Sequence, residues 1–241
     1  MEQLNAIVEG AIARKDRMIL ANHNLHSVYL YHADSKMRAF YSSAGHIHID
    51  GMPIVLLGRL RGLPLREEHR VTLADWIYPL AQLAAENNWR IFYLGSRPGV
   101  AEQGAEILRR LNPGLQIRSA HGYFDPSPDS VEDQAVMAAI QEYQPNLLFL
   151  GMGMPRQEHW LVDHLEKLPP AVILNAGAAL DYVAGAVPTP PRWTGRLGLE
   201  WLFRLTAEPD RLWKRYLVEP WFILGWLLRD ILGLSNDGAT P

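Results

Sequence analysis

From about residue 89 onward, short apolar runs alternate with amphipathic stretches, and the change of period marks strands and helices in turn. Arg90–Leu94 is an apolar run closed by Gly95-Ser96-Arg97-Pro98-Gly99, and Ala101, Ala105, Ile107 and Leu108 after it predict a helix. Leu115–Ile117 opens a further strand that leads to Gly122-Tyr123-Phe124. Ser130, with Asp133 three residues on, has the form of a helix start, and that helix is expected to run to about Tyr143. A strand at Leu147–Leu150, a helix at Pro155–Leu168, a strand at Ala171–Leu174 and a helix from Ala178 to Val183 complete the series. Such alternation predicts an α/β fold with a largely parallel, Rossmann-like sheet and helices on both faces. Ligands of such sheets sit beyond the carboxyl ends of the strands. Gly95-Ser96, Gly122, Gly151-Met152-Gly153 and Asn175-Ala176-Gly177 would all gather at that edge.

The first 88 residues are less regular. Met18–Ala21 reads as a strand ending in the polar string Asn22-His23-Asn24, and Gly45–Gly51 alternates as a strand does. Val71–Ala85 predicts a helix begun by Thr72, which Pro79 is expected to kink or divide. The last 50 residues change character. Five of the eight tryptophans lie there, among Arg192, Arg196, Arg204, Arg211, Lys214 and Arg215. Pro188, Pro190 and Pro191 just before them predict a linker at about 186–192. The expected organisation is an α/β domain over 1–188 and a helical, basic and aromatic appendage over 189–241.

Bulk properties narrow the classes. At 241 residues the chain can bury a full core, and 48% hydrophobic with 20% charged residues is ordinary for a globular protein. A net charge of −3 argues against a general nucleic-acid binder, and the lack of cysteine excludes disulfide and thiolate chemistry. The N-terminus has neither a basic start nor a long apolar stretch, so the expected location is the cytoplasm. No segment reaches the roughly 18–20 uninterrupted apolar residues that span a bilayer.

Four features are candidates for chemistry. In Gly151-Met152-Gly153-Met154-Pro155-Arg156-Gln157-Glu158, an apolar strand meets a glycine turn and a helix start. Unpaired N–H groups and the helix dipole make that corner an anion-binding candidate, or else an ordinary βα turn. His46, His48 and Asp50 alternate and would share one strand face. That pattern resembles the start of a His-x-His-x-Asp metal motif, but Gly51 stands where the motif's next histidine belongs, and no further ligands are evident, so no metal is expected. The alternatives are a catalytic carboxylate at Asp50 or a simple Asp-Gly turn. Arg211 and Arg215 lie four apart and would share a helix face, suited to a diphosphate or merely solvated. Leu217–Leu234 is too short to span a bilayer and too apolar to leave in water. It fits a segment lying in the membrane interface, or a helix packed on the domain or on a second subunit.

The motifs also resemble those of a known family. Gly151–Trp160 is similar to the Gly-x-Gly-x-Pro-x-Gln-Glu signature of the WecG/TagA/CpsF glycosyltransferases (glycosyltransferase family 26). Tyr93–Glu102, His121-Gly122-Tyr123-Phe124, Asn175–Gly185, Pro191-Arg192-Trp193 and Gly198–Leu205 resemble further family segments in the same order. The resemblance implies an inverting, metal-independent transfer of a sugar from a UDP-sugar to a polyprenyl-diphosphate-linked acceptor, without a cofactor, in exopolysaccharide or cell-envelope synthesis at the inner membrane surface. Carried over residue by residue, it implies Asp50 as base and Arg70 beside it. Asn22, Asn24, Gly95, Ser96, Tyr123, Gly151, Gly153, Gln157, Glu158, Arg204, Arg211 and Arg215 would bind substrate. Two segments depart from the pattern: the family's Thr-x-Asn is Asn22-His23-Asn24 here, and its Arg-Ala-Pro is Thr189-Pro190-Pro191. Two rival classes are a nicotinamide-dependent oxidoreductase and a non-catalytic membrane-associated assembly protein. The first would need Gly-x-Gly-x-x-Gly after its first strand, and neither the Gly95 nor the Gly151 corner has the third glycine.

Overall fold

The computed structural model describes residues 1–188, 200–207 and 209–231. Among them β1 (Met18–His23), β2 (Ala44–Ile49), β3 (Arg90–Gly95), β4 (Gln116–Ala120), β5 (Leu147–Gly151) and β6 (Val172–Asn175) form one sheet of order β2-β1-β6-β5-β3-β4. Every pairing is parallel. A strand covered on both faces must be apolar on both, which is why β3, β5 and β6 read as continuous apolar runs rather than as alternation. Ile91, Tyr93, Leu147 and Phe149 enter one core cluster, and Phe92, Leu94, Leu148 and Leu150 enter the other.

The first cluster is closed by α1 (Glu2–Arg14), α5 (Leu73–Glu86), α6 (Val100–Leu111) and α9 (Ala179–Val183). The second is closed by α3 (Ser35–Ser42), α7 (Val131–Tyr143) and α8 (Arg156–His164). Small residues set the closest approach of α6 to α9, since a Cβ on Gly104 would stand 3.0 Å from the carbonyl oxygen of Leu180. A buried polar trio ties α7 to α8. Trp160 Nε1 donates to Asp133 Oδ1 at 2.7 Å, and His164 Nε2 lies 2.8 Å from Asp133 Oδ2. Because α6 follows β3 on one face and α8 follows β5 on the other, the chain diverges between these neighbouring strands, the position at which such sheets bind ligands beyond their carboxyl ends.

The N-terminal third holds more helix than the hydrophobic pattern predicts. Besides α1 and α3 it contains α2 (Leu25–Ala33) and α4 (Met52–Leu60). Helix α5 runs through Pro79 as one helix, so of the kink or division expected from the sequence the proline does not cause division. The proline costs it the donor to Asp75, but Asp75 is exposed, so water can take that carbonyl. The helix expected over 155–168 ends at His164, and a short 3-10 turn over Leu165–Lys167 follows. Pro155 precedes this helix rather than occupying its first position.

The predicted linker at 186–192 falls mainly outside the described residues, as does the start of the appendage. Beyond them come α10 (Glu200–Ala207), α11 (Pro209–Leu217) and α12 (Glu219–Ile231). Helix α12 docks on α2. His26 Nδ1 lies 2.6 Å from Glu219 Oε2, with Tyr29 and His32 against the Trp226 ring, and Ile223 is buried. Among the described residues no helix is long and apolar enough to cross a membrane.

Candidate active site

The first cluster forms where β1 and β2 end. Asp50 N–H donates to His23 O at 2.8 Å, carrying the ladder one residue past β2 and fixing the Asp50 backbone beside β1. Asn24 caps α2, its Oδ1 accepting from the Ser27 N–H at 3.1 Å. With the oxygen so engaged, the amide nitrogen turns the other way, and Asn24 Nδ2 stands 3.4 Å from Asp50 Oδ2. Arg70, which bridges to Ile49, donates from Nε to the Asp50 carbonyl at 3.1 Å. Asn24, Asp50 and Arg70 are each half-buried, and thus within reach of a ligand at the strand ends.

His46 and His48 are half-buried while Ile47 is exposed, the reverse of an apolar-in strand. Burial pushes the His48 pKa down to about 4, with its ring edge-on to Trp76. His23 is likewise lowered to about 4 by burial, and its ring stacks on Tyr41 at 4.2 Å.

The second cluster occupies the centre of the edge and is sealed. Glu158 is fully buried, and its Oε1 accepts from Gln157 Nε2 at 2.8 Å and from Asn175 Nδ2 at 2.5 Å. Its Oε2 has no hydrogen-bond partner among the described residues. Burial raises the Glu158 pKa to about 7, against the opposing hydrogen bonds and the positive charge of Arg215. The Asn175 carbonyl accepts from Asn22 Nδ2 at 3.2 Å, and the Asn22 carbonyl accepts from Tyr41 Oη at 2.8 Å. Gln157 Oε1 accepts the Gly153 N–H at 3.1 Å, so the side chain that was expected to meet substrate already closes the glycine turn in front of its own helix.

The third cluster lies where the chain diverges between β3 and β5. Gly95 and Gly151 are glycines because their backbones press together: a Cβ on Gly95 would fall 2.3 Å from the Gly151 carbonyl carbon, and one on Gly151 would fall 2.0 Å from Tyr93 Oη. Ser96 takes a left-handed φ of 58°, and its Oγ donates to Asp181 Oδ2 at 2.8 Å while Tyr93 Oη lies 2.9 Å away. Tyr123 is exposed beyond β4, at the far edge of the sheet from Asp50. With strands about 4.8 Å apart, five strand spacings separate β2 from β4 by roughly 24 Å.

The structure thus brings Asn24, Asp50 and Arg70 together, and buries Asn22, Ser96, Gln157 and Glu158 in packed polar contacts. Arg215, on α11, is near enough to act on Glu158, whereas the side chains of Arg204 and Arg211 lie outside the described residues. Sequence reasoning did not select Tyr41, Asn175 or Asp181 as site residues. Asn175 carried a legible signal, a polar residue ending an apolar strand at the ligand edge, but Tyr41 arrives from α3 with no local mark.

The family model for the glycosyl transferase WecG/TagA/CpsF family matches residues 1–237. The chain belongs to this family. Its similar relatives include the N-acetylglucosaminyldiphosphoundecaprenol N-acetyl-beta-D-mannosaminyltransferase of Staphylococcus aureus strain NCTC 8325 / PS 47, which is 29% identical over 174 residues. The match covers 72% of this chain and 64% of that protein, so the chain spans somewhat less than two thirds of its relative's length. The proteins of the same name from strains COL and MRSA252 match to the same extent. As a family member, the chain carries its signature on the β5–α8 corner, where Gly153, Gln157 and Glu158 form one hydrogen-bonded unit.

Proposed function

We propose that the protein is an inverting glycosyltransferase that moves a sugar from a UDP-sugar to a sugar on a polyprenyl diphosphate, in cell-envelope or exopolysaccharide synthesis. Family membership and the names of the relatives, a lipid-diphosphate-linked acceptor among them, support this reading. Asp50 carries it: a carboxylate at the open end of a strand, its neighbours aimed by a helix cap and an arginine. In the proposed step, Asp50 takes the proton of the acceptor hydroxyl as that oxygen attacks the anomeric carbon of the donor. The bond from this carbon to the diphosphate breaks, its electron pair leaves with UDP, and the configuration inverts. Arg70 and the arginines of the appendage meet the growing negative charge on the diphosphate, through charge-assisted hydrogen bonds that need neither metal nor cofactor.

In this reading residues 1–188 form the catalytic domain and 189–241 an appendage that folds over it at the inner face of the cytoplasmic membrane. The docking of α12 on α2 and the exposed Trp201, Trp213, Trp221 and Phe222 support that division. The test is an assay of the purified protein with a panel of UDP-sugars and a lipid-diphosphate acceptor. Transfer by the wild type and none by Asp50→Asn is the expected result. Undiminished transfer by the variant removes Asp50 as base, and no transfer by the wild type favours a non-catalytic assembly role.

A further inference from the structure

Helix α4 and the turn after it form an aliphatic tip that the folded domain does not cover. A surface helix ordinarily buries a stripe of apolar side chains. Here Met52–Leu60 is apolar nearly throughout, yet only Val55 is fully buried. Leu56 is 50% exposed, Leu60 82% and Leu63 55%.

The tip is built rather than loose. Gly62 takes a φ of 78°, and the Leu63 N–H donates back to Gly58 O at 2.9 Å. Leu63 and Leu65 fold against Gly58, where a Cβ would collide with Leu65. Arg59 Nε fastens the return of the chain by donating to Leu65 O at 2.7 Å.

Its charge is mainly positive up to Arg66, with Glu67 and Glu68 following at its base. Residues 52–66 contain Arg59, Arg61 and Arg66 and no acidic residue. Arg66 Nη1 lies 3.5 Å from Glu68 Oε1, both side chains well exposed. Such a surface pair is weak and readily exchanged for another anion. Arginines interleaved with outward leucines complement a bilayer surface, where aliphatic side chains enter the acyl boundary and cations meet anionic headgroups. The helix begins two residues after Asp50 and the chain returns to the Asp50 carbonyl at Arg70, so the tip projects from the stretch that frames Asp50.

We infer that the α4 tip is a lipid-contact surface, separate from the appendage, that seats the protein on anionic phospholipid next to Asp50. The inference rests on the membrane-acceptor reading proposed above. The chain contains no cysteine, so a single introduced thiol can carry an environment-sensitive fluorophore. Leu60→Cys removes little packing, and Leu111→Cys, at an exposed leucine ending α6, is the control. With vesicles of phosphatidylglycerol and phosphatidylcholine, the probe at position 60 should shift to shorter wavelength and be quenched by brominated acyl chains, while the probe at 111 should not. Leu60→Glu with Leu63→Glu in the full chain should weaken co-sedimentation with these vesicles about tenfold.

The inference is overturned if wild type co-sediments while the probe at 60 behaves like that at 111, because the appendage then carries the contact alone. It is equally overturned if the shift follows protein concentration without vesicles, which assigns the tip to a second copy of the chain. Neither readout involves sugar transfer, so a failure of the transferase reading shows in the assay and not in the fluorescence.

Discussion

The two carboxylates of the ligand edge, Asp50 and Glu158, stand in opposite surroundings. Asp50 lies half-buried past an edge strand, with an arginine on its own carbonyl and a capping asparagine 3.4 Å from its carboxylate. Glu158 lies in the middle of the edge with no exposed surface, two amide donors on one oxygen and a pKa pushed to about 7. On the reading proposed above, the difference separates reactivity from framework. A group that exchanges protons with a ligand must be reachable, whereas a buried acid held by its neighbours chiefly orients them.

The contrast can be broken most sharply at Asp50. Asp50→Asn should lower the rate of transfer by roughly 10²–10⁴ and leave the thermal midpoint nearly unchanged, as measured by parallel activity and melting experiments. Next in size is the close approach of β3 and β5, where Gly151→Ala drives a methyl group into Tyr93. A cost of about 3 kcal/mol or more is expected in urea unfolding, with activity lost through the fold and not through the chemistry.

Glu158 gives a signed pH effect. Its folded pKa is raised above the ordinary carboxylate value of 4.5, so its contribution to stability is complete at acid pH and declines as the pH climbs to about 7. Wild type should therefore lose on the order of 3 kcal/mol between pH 4 and 8 from this group. Glu158→Gln, which cannot ionise, should show a flatter profile in denaturation series at those pH values. The smallest expected effect is at the clasp of the appendage. Glu219→Ala removes the bond to His26 and should cost about 1–2 kcal/mol of docking, read as faster proteolysis between α11 and α12 with the domain core intact.

The same contrast explains what the sequence made legible. The central strands were plain because an apolar run such as Leu147–Leu150 has one use in an α/β chain. Asp50 read from its own residues as either a catalytic carboxylate or a simple Asp-Gly turn, and only the family resemblance singled it out. The sealed network was not legible: Asn22 and Asn175 lie 153 residues apart and meet only because β1 and β6 are neighbours. Nor was α4 legible, since its apolar face lacks the periodic polar positions by which a helix covering a core is recognised. Its leucines stay outside, so the usual rule had nothing to match.

Helix α2 ends this comparison with a mechanical consequence. Its cap, Asn24, orients toward Asp50, and its body, through His26, Tyr29 and His32, holds the last described helix of the chain. Nine residues make a rod about 14 Å long, stiff enough to carry a displacement from one end to the other. If Asp50 is the base proposed above, seating the tail and aligning that carboxylate become two readings of a single lever's position.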